Sequence, residues 1–123
     1  MEFDELSRKV IGCAIEVHRN LGPGLLESIY RRCLAHELQV AGLKFETEKS
    51  VPVRYKEVFF DGELRLDLLI EDTLVVELKS IDRISPVHEA QLLTYMKLAG
   101  AKIGLLINFN VRSIKDGLKR LVL

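Results

Sequence analysis

Two carboxylates and a lysine between Leu64 and Lys79 can be placed by hydrophobic alternation alone. Leu64, Leu66, Leu68 and Ile70 alternate with Glu63, Arg65, Asp67 and Leu69, and Leu74, Val76 and Leu78 with Val75, Glu77 and Lys79. Such alternation marks half-buried strands, and the short loop Glu71-Asp72-Thr73 makes them an antiparallel hairpin. If the apolar residues face one core, paired residue numbers must sum to an even value, because a one-residue slip turns a strand over. Ile70 then lies opposite Leu74, Asp67 opposite Glu77 and Arg65 opposite Lys79. Opposed side chains in such a ladder have Cβ atoms ~4.5–5.5 Å apart, so the two carboxylates repel. A cation, a shared proton or nearby basic groups must offset that repulsion. A hard divalent ion such as Mg²⁺ does so efficiently, because it takes carboxylate oxygens and keeps several waters. Lys79 shares the face of Glu77 one step along.

This set suits phosphodiester hydrolysis. A carboxylate-held metal lowers the pKa of a water and clamps a phosphoryl oxygen. An adjacent lysine places fixed positive charge where negative charge develops. The competing reading is a solvated polar face, with Asp67 and Glu77 paired to Arg65, Lys79 and Lys56. Glu27 favours the first. On a helix, Tyr30, Leu34, Leu38 and Ala41 fall within about 60° of it, and a carboxylate on an apolar stripe is costly without a partner. Glu37 lies in the same arc, so that stripe tolerates acids.

The elements that must position these groups follow from periodicity. Phe3 to Leu21 repeats apolar residues at helical spacing, Gly22-Pro23-Gly24 breaks it, and a second helix is predicted from Leu25 to Ala41 with Gly42 as its cap. Lys44 to Val53 reads as one or two short strands. Asp61-Gly62 after Val58-Phe59-Phe60 predicts a hairpin turn, which would put Arg54 and Lys56 on the face of Asp67. After the Asp67–Glu77 hairpin, a loop over 81–85 leads to a helix from Pro86 to Ala99, closed by Gly100. Ile103 to Phe109 reads as a strand buried on both faces. A last helix is predicted over 113–121, capped by Ser113. The expected fold class is α/β or α+β, with a mixed sheet between helices.

Composition bounds the rest. At 123 residues, 48% hydrophobic and 29% charged, the chain is expected to form a single domain over 1–123, not a disordered segment. Eighteen basic and eighteen acidic residues cancel, so any nucleic-acid contact must come from a local patch. Cys13 and Cys33 are too few for a disulfide framework or an iron–sulfur cluster, and are read as apolar fillers in a reducing compartment. His18, His36 and His88 lack any paired spacing, which argues against a zinc hydrolase. Arg31-Arg32, Arg54-Lys56 and Lys119-Arg120 read as ordinary surface. No apolar stretch opens the chain and none reaches ~18 residues, so a cytoplasmic protein with no membrane span is expected.

These residues also carry a resemblance. Gly24-Leu25-Leu26-Glu27-Ser28-Ile29-Tyr30 is a GxxExxY motif, and the chain resembles the small bacterial and archaeal proteins named for it, a branch of the PD-(D/E)XK nuclease superfamily. Asp67 followed by Glu77-Leu78-Lys79 looks like the D…ExK core of that superfamily. Gln91-Leu92-Leu93-Thr94-Tyr95 is similar to the QxxxY helix of its RecB-like members. Leu66 stands where many members carry a proline before the aspartate. The resemblance implies a restriction-endonuclease-like αβββαβ core. It implies Mg²⁺ or Mn²⁺ held by Asp67, Glu77, the Leu78 backbone carbonyl and Glu27. It makes Lys79 the residue that orients the attacking water, and puts Gln91, Tyr95 and Tyr30 on the substrate side. The implied partner is nucleic acid, DNA before RNA, with a second copy or a partner protein as a source of specificity. The alternative is a catalytically silent nuclease-fold module that binds nucleic acid or a protein.

Overall fold

The structure is a computed structural model and describes residues 4–123. Phe3, expected in the first helix, lies outside the described residues. Helix α1 spans Glu5–Leu21. Asp4 caps it, accepting from the Ser7 backbone N–H at 3.0 Å, and also accepts from Arg120 at 3.1 Å, tying the helix start to the end of the chain. Helix α2 spans Glu27–Val40, so Leu25 and Leu26 belong to the loop before it.

A five-stranded sheet follows in the order β1-β2-β3-β4-β5: β1 Phe45–Tyr55, β2 Val58–Ile70, β3 Leu74–Lys79, β4 Ile103–Asn108 and β5 Leu118–Val122. Only β3 and β4 run parallel, joined through helix α3, Pro86–Ala99. Ser85 caps α3, and His88, read from sequence as a surface group, accepts the Ser85 backbone N–H at 2.9 Å to complete a capping box. Helices α1 and α2 pack Val10, Ala14, Leu34 and Leu38 on Leu68, Val76, Leu78 and Ile107 of the sheet. Helix α3 packs Leu92 and Met96 on the opposite face, against Val75 and Leu106. The mixed sheet between helices is the expected architecture.

Two expected elements fail. Asp61-Gly62 is not the turn. The chain reverses at Lys56-Glu57, so that Val58, Phe59 and Phe60 pair with Tyr55, Arg54 and Val53. Asp61 and Gly62 instead form a bulge opposite the register shift between Val51 and Val53, where the Ser50 hydroxyl donates to Asp61 and accepts the Gly62 N–H. The second failure is the terminal helix. Residues 114–117 form a single 3₁₀ turn, and Leu118–Val122 runs antiparallel to β4. β4 is buried on both faces, and β5 supplies the edge partner its backbone requires.

Candidate active site

The predicted register of β2 on β3 is present: Ile70 faces Leu74, Leu69 faces Val75 and Leu68 faces Val76. The ladder stops there, and at the next position side chains replace backbone partners. The Asp67 N–H donates to Glu77 Oε1 at 3.1 Å, and the Leu78 N–H donates to Asp67 Oδ2 at 2.8 Å. Each carboxylate is therefore held by a main-chain donor of the opposite strand. The pairing does not extend to Arg65 and Lys79. Alternation also breaks here, because Leu66 packs under α3 with Val51 and Leu92 whereas Leu68 packs under α1 and α2. The expectation that Leu64, Leu66 and Leu68 share one core is corrected accordingly, since the regular pairing of β2 is interrupted at Asp67 on both sides, opposite the left-handed Glu48 on β1 and beyond Leu68–Val76 on β3.

Crowding sets the electrostatics. Burial, followed by the charge of Asp67, pushes the Glu77 carboxyl up to about 8, with Lys79 opposing the shift. At neutral pH the pair accordingly carries a shared proton, one of the three offsets the spacing required. A second is a basic group that sequence reading placed on the surface. Arg31 Nη1 lies 3.8 Å from Asp67 Oδ1 and Nη2 lies 3.7 Å from Glu48 Oε1. Glu48 sits across from Asp67, between the pairs Thr47–Leu68 and Lys49–Leu66, and its φ of 49° is in the left-handed region. Arg31 is one helical turn beyond Glu27, the only sequence signal that placed it near the acids.

Helix α3 brings Tyr95 within the field of the acids. Burial, then the charges of Glu77 and Asp67, push the Tyr95 phenol up, and Gln91 beside it opposes the shift. Tyr95 is thus a neutral hydrogen-bond donor facing the acidic pair, and Gln91, one turn earlier, is exposed.

Tyr30 departs from expectation. It is fully buried and stacks on Phe109 with ring centroids 4.4 Å apart. Its hydroxyl donates to the Gly22 carbonyl at 2.5 Å and accepts the Leu25 N–H at 3.1 Å. It pins the loop before α2 and does not face a substrate. Leu25 is held from its other side by the Ser80 hydroxyl, which donates to its carbonyl at 2.5 Å. That bond sets the start of α2 beside the end of β3, with Glu27 two residues on. Glu27 itself stands apart from the pair. Among the described residues it forms no hydrogen bond or ion pair, and no three Asp, Glu, His or Cys side chains gather as a ready-made metal cluster. Arg31 is the α2 side chain that reaches Asp67.

Lys79 is positioned from β4. It aligns with Asn108, and its carbonyl accepts the Phe109 N–H at 2.9 Å. The buried Asn108 side chain grips the following loop, accepting the Ile81 N–H at 3.1 Å and donating to its carbonyl at 2.9 Å. This clamp was not foreseen, since its partners meet only in the fold. Two opposed carboxylates form a donor set that a hard divalent cation would suit by displacing the proton that burial and the Asp67 charge hold on Glu77, with coordination positions left for water.

A family model described as PD-(D/E)XK nuclease superfamily matches residues 4–121. The chain belongs to the PD-(D/E)XK nuclease superfamily. Its fold is that of a restriction-endonuclease-like PD-(D/E)XK domain. It is similar to the crystal structure of SSO0001, with a TM-score of 0.59 and 23% identity over 77% of this chain. It spans 48% of the length of that chain. No curated protein matches it. No helix of the described residues is long and apolar enough to cross a membrane.

Proposed function

We propose that this member of the superfamily is a metal-dependent nuclease of the GxxExxY branch, with RecB-like features in α3, hydrolysing phosphodiester bonds in nucleic acid, DNA before RNA, in the cytoplasm. The observation that carries the reading is the enforced opposition of Asp67 and Glu77, with Lys79 on the same strand as Glu77. Asp67, Glu77 and the Leu78 carbonyl would hold Mg²⁺ or Mn²⁺, and Glu27 would join through a water. When bound, that ion supplies charge neutralisation and an acidified water. Asp67 and Glu77 fix the phosphate side of the site, their own orientation set by the Leu78 and Asp67 N–H groups. Lys79, its backbone tied to β4 through the Phe109 N–H, stabilises the charge that builds on the phosphoryl oxygens. Tyr95 donates a hydrogen bond toward the substrate, and Gln91 lines the approach.

The test is incubation with single- and double-stranded DNA and RNA in Mg²⁺ or Mn²⁺. Cleavage by the wild type that disappears in Asp67→Ala and Lys79→Ala is expected, and cleavage that survives both changes removes these residues from the reaction. A second reading, a silent binding module, is favoured by Arg31, which already partners Asp67, and by the separation of Glu27. Calorimetric titration with Mn²⁺ separates the two: metal binding without cleavage supports the module.

A further inference from the structure

We propose that the groove between α2 and β1 binds the sugar–phosphate backbone of a nucleic-acid strand and leads it to the Asp67–Glu77 pair. The proposal rests on the nuclease reading for its purpose but on separate residues for its chemistry. The groove is a cavity of about 480 Å³, walled by Arg31, Arg32, His36 and Gln39 of α2 and floored by Phe45 and Thr47 of β1. In a chain with no net charge, two arginines and a histidine are gathered on one wall, and Glu48 is the lone acid lining it. Such a local basic strip is the patch that zero net charge demands of a nucleic-acid binder.

Arg31 joins the groove to the pair. Its side chain is four-fifths buried, yet its nearest carboxylate oxygens are 3.7 and 3.8 Å away. Charge-assisted hydrogen bonds are shorter, ~2.7–2.9 Å. Its planar array of donors is thus held in place by charge but not consumed, which suits bidentate contact with a phosphate. A backbone lying along Arg32 and His36 would meet Arg31 next and then reach the acids.

The test is fluorescence anisotropy with labelled single-stranded DNA, duplex DNA and single-stranded RNA in EDTA, so that binding is read without turnover, across a salt series. Arg32 and His36 are exposed, and Arg32→Glu and His36→Glu leave the core untouched. The wild type is expected to bind at least one probe. Arg32→Glu should weaken that binding tenfold or more, and the slope of log K against log salt should shrink by about one. Lys115→Glu, on the exposed turn before β5, should change neither. Failure of the wild type to bind any probe, or groove variants no weaker than Lys115→Glu, overturns the proposal. Groove-dependent binding by a wild type that never cleaves in Mn²⁺ would sink the nuclease reading and leave the groove standing. Cleavage by a wild type whose binding ignores Arg32 and His36 would do the reverse.

Discussion

Replacing Glu77 by glutamine should abolish the loss of stability with rising pH in the metal-free protein. In the fold the Glu77 carboxyl holds its proton up to about 8, against 4.5 for an ordinary glutamate. Between these values the folded state binds more protons than the unfolded chain, so stability falls as pH rises through that window and the contribution is gone above it. At about 1.4 kcal/mol per pH unit the window is worth a ceiling of about 5 kcal/mol. That is a large share of the ~5–15 kcal/mol that holds a domain together. Glutamine keeps the shape and can donate to Asp67 as the neutral acid does, but it does not titrate. The assay is urea unfolding in EDTA at each pH from 5 to 9. The wild-type midpoint should fall steadily toward pH 9, while Glu77→Gln stays level and becomes the more stable protein at the alkaline end. Mn²⁺ requires the deprotonated carboxylate, so added metal should restore the wild type most at pH 9 and leave Glu77→Gln unmoved. A wild type whose midpoint is level from pH 5 to 9, or a variant that declines in parallel with it, refutes the crowded pair.

Three further outcomes test the scaffold. Tyr30→Phe removes a hydroxyl that serves both the Gly22 carbonyl and the Leu25 N–H, and should cost about 1–3 kcal/mol in urea unfolding while lowering any metal-dependent cleavage by loosening the start of α2. Asn108→Ala strips the Ile81 clamp, leaves buried main-chain groups unpaired, and should cost about 2 kcal/mol or more. Gly117→Ala should destabilise more than Gly104→Ala by thermal unfolding. A Cβ at Gly117 collides with the Asn108 carbonyl oxygen, which is main chain, whereas at Gly104 it meets the Met96 sulfur at 2.5 Å, which can swing aside.

What the sequence made legible was whatever local pattern decides. The Asp67–Glu77 opposition followed from parity, since shifting the strand by one residue would have exposed Leu68 and Ile70. Helix α3 followed from Pro86 and Gly100. The failures share a cause: a distant partner outvoted a valid local signal. Asp61-Gly62 is sound turn chemistry, but Ser50 on the neighbouring strand satisfies it as a bulge, and three apolar residues gain paired positions when the turn falls earlier. Ile114, Leu118 and Leu121 fit a helix as well as a strand, and it was the unpaired edge of β4 that chose. At the site, the acids were readable because they share a hairpin. Arg31 and Glu48 were not, because only the packing of α2 against β1 brings them together.

The residues of the GxxExxY segment therefore divide by task. Gly24 has a φ of 98°, a conformation glycine adopts without strain, and Tyr30 buries its ring to close the loop over Leu25. Ser80, the residue after Lys79, completes the tie from the strand side. Two of the three motif residues thus act on backbone geometry, and what they fix is the distance between the first turn of α2 and the end of β3. That first turn carries Glu27, and the next carries Arg31, so one buried tyrosine sets the placement of both the outlying acid and the cation that touches Asp67. A helix start held this way has little freedom to slide. Any approach of Glu27 to the acidic pair must come from its own side-chain torsions, with Arg31 giving way toward the groove.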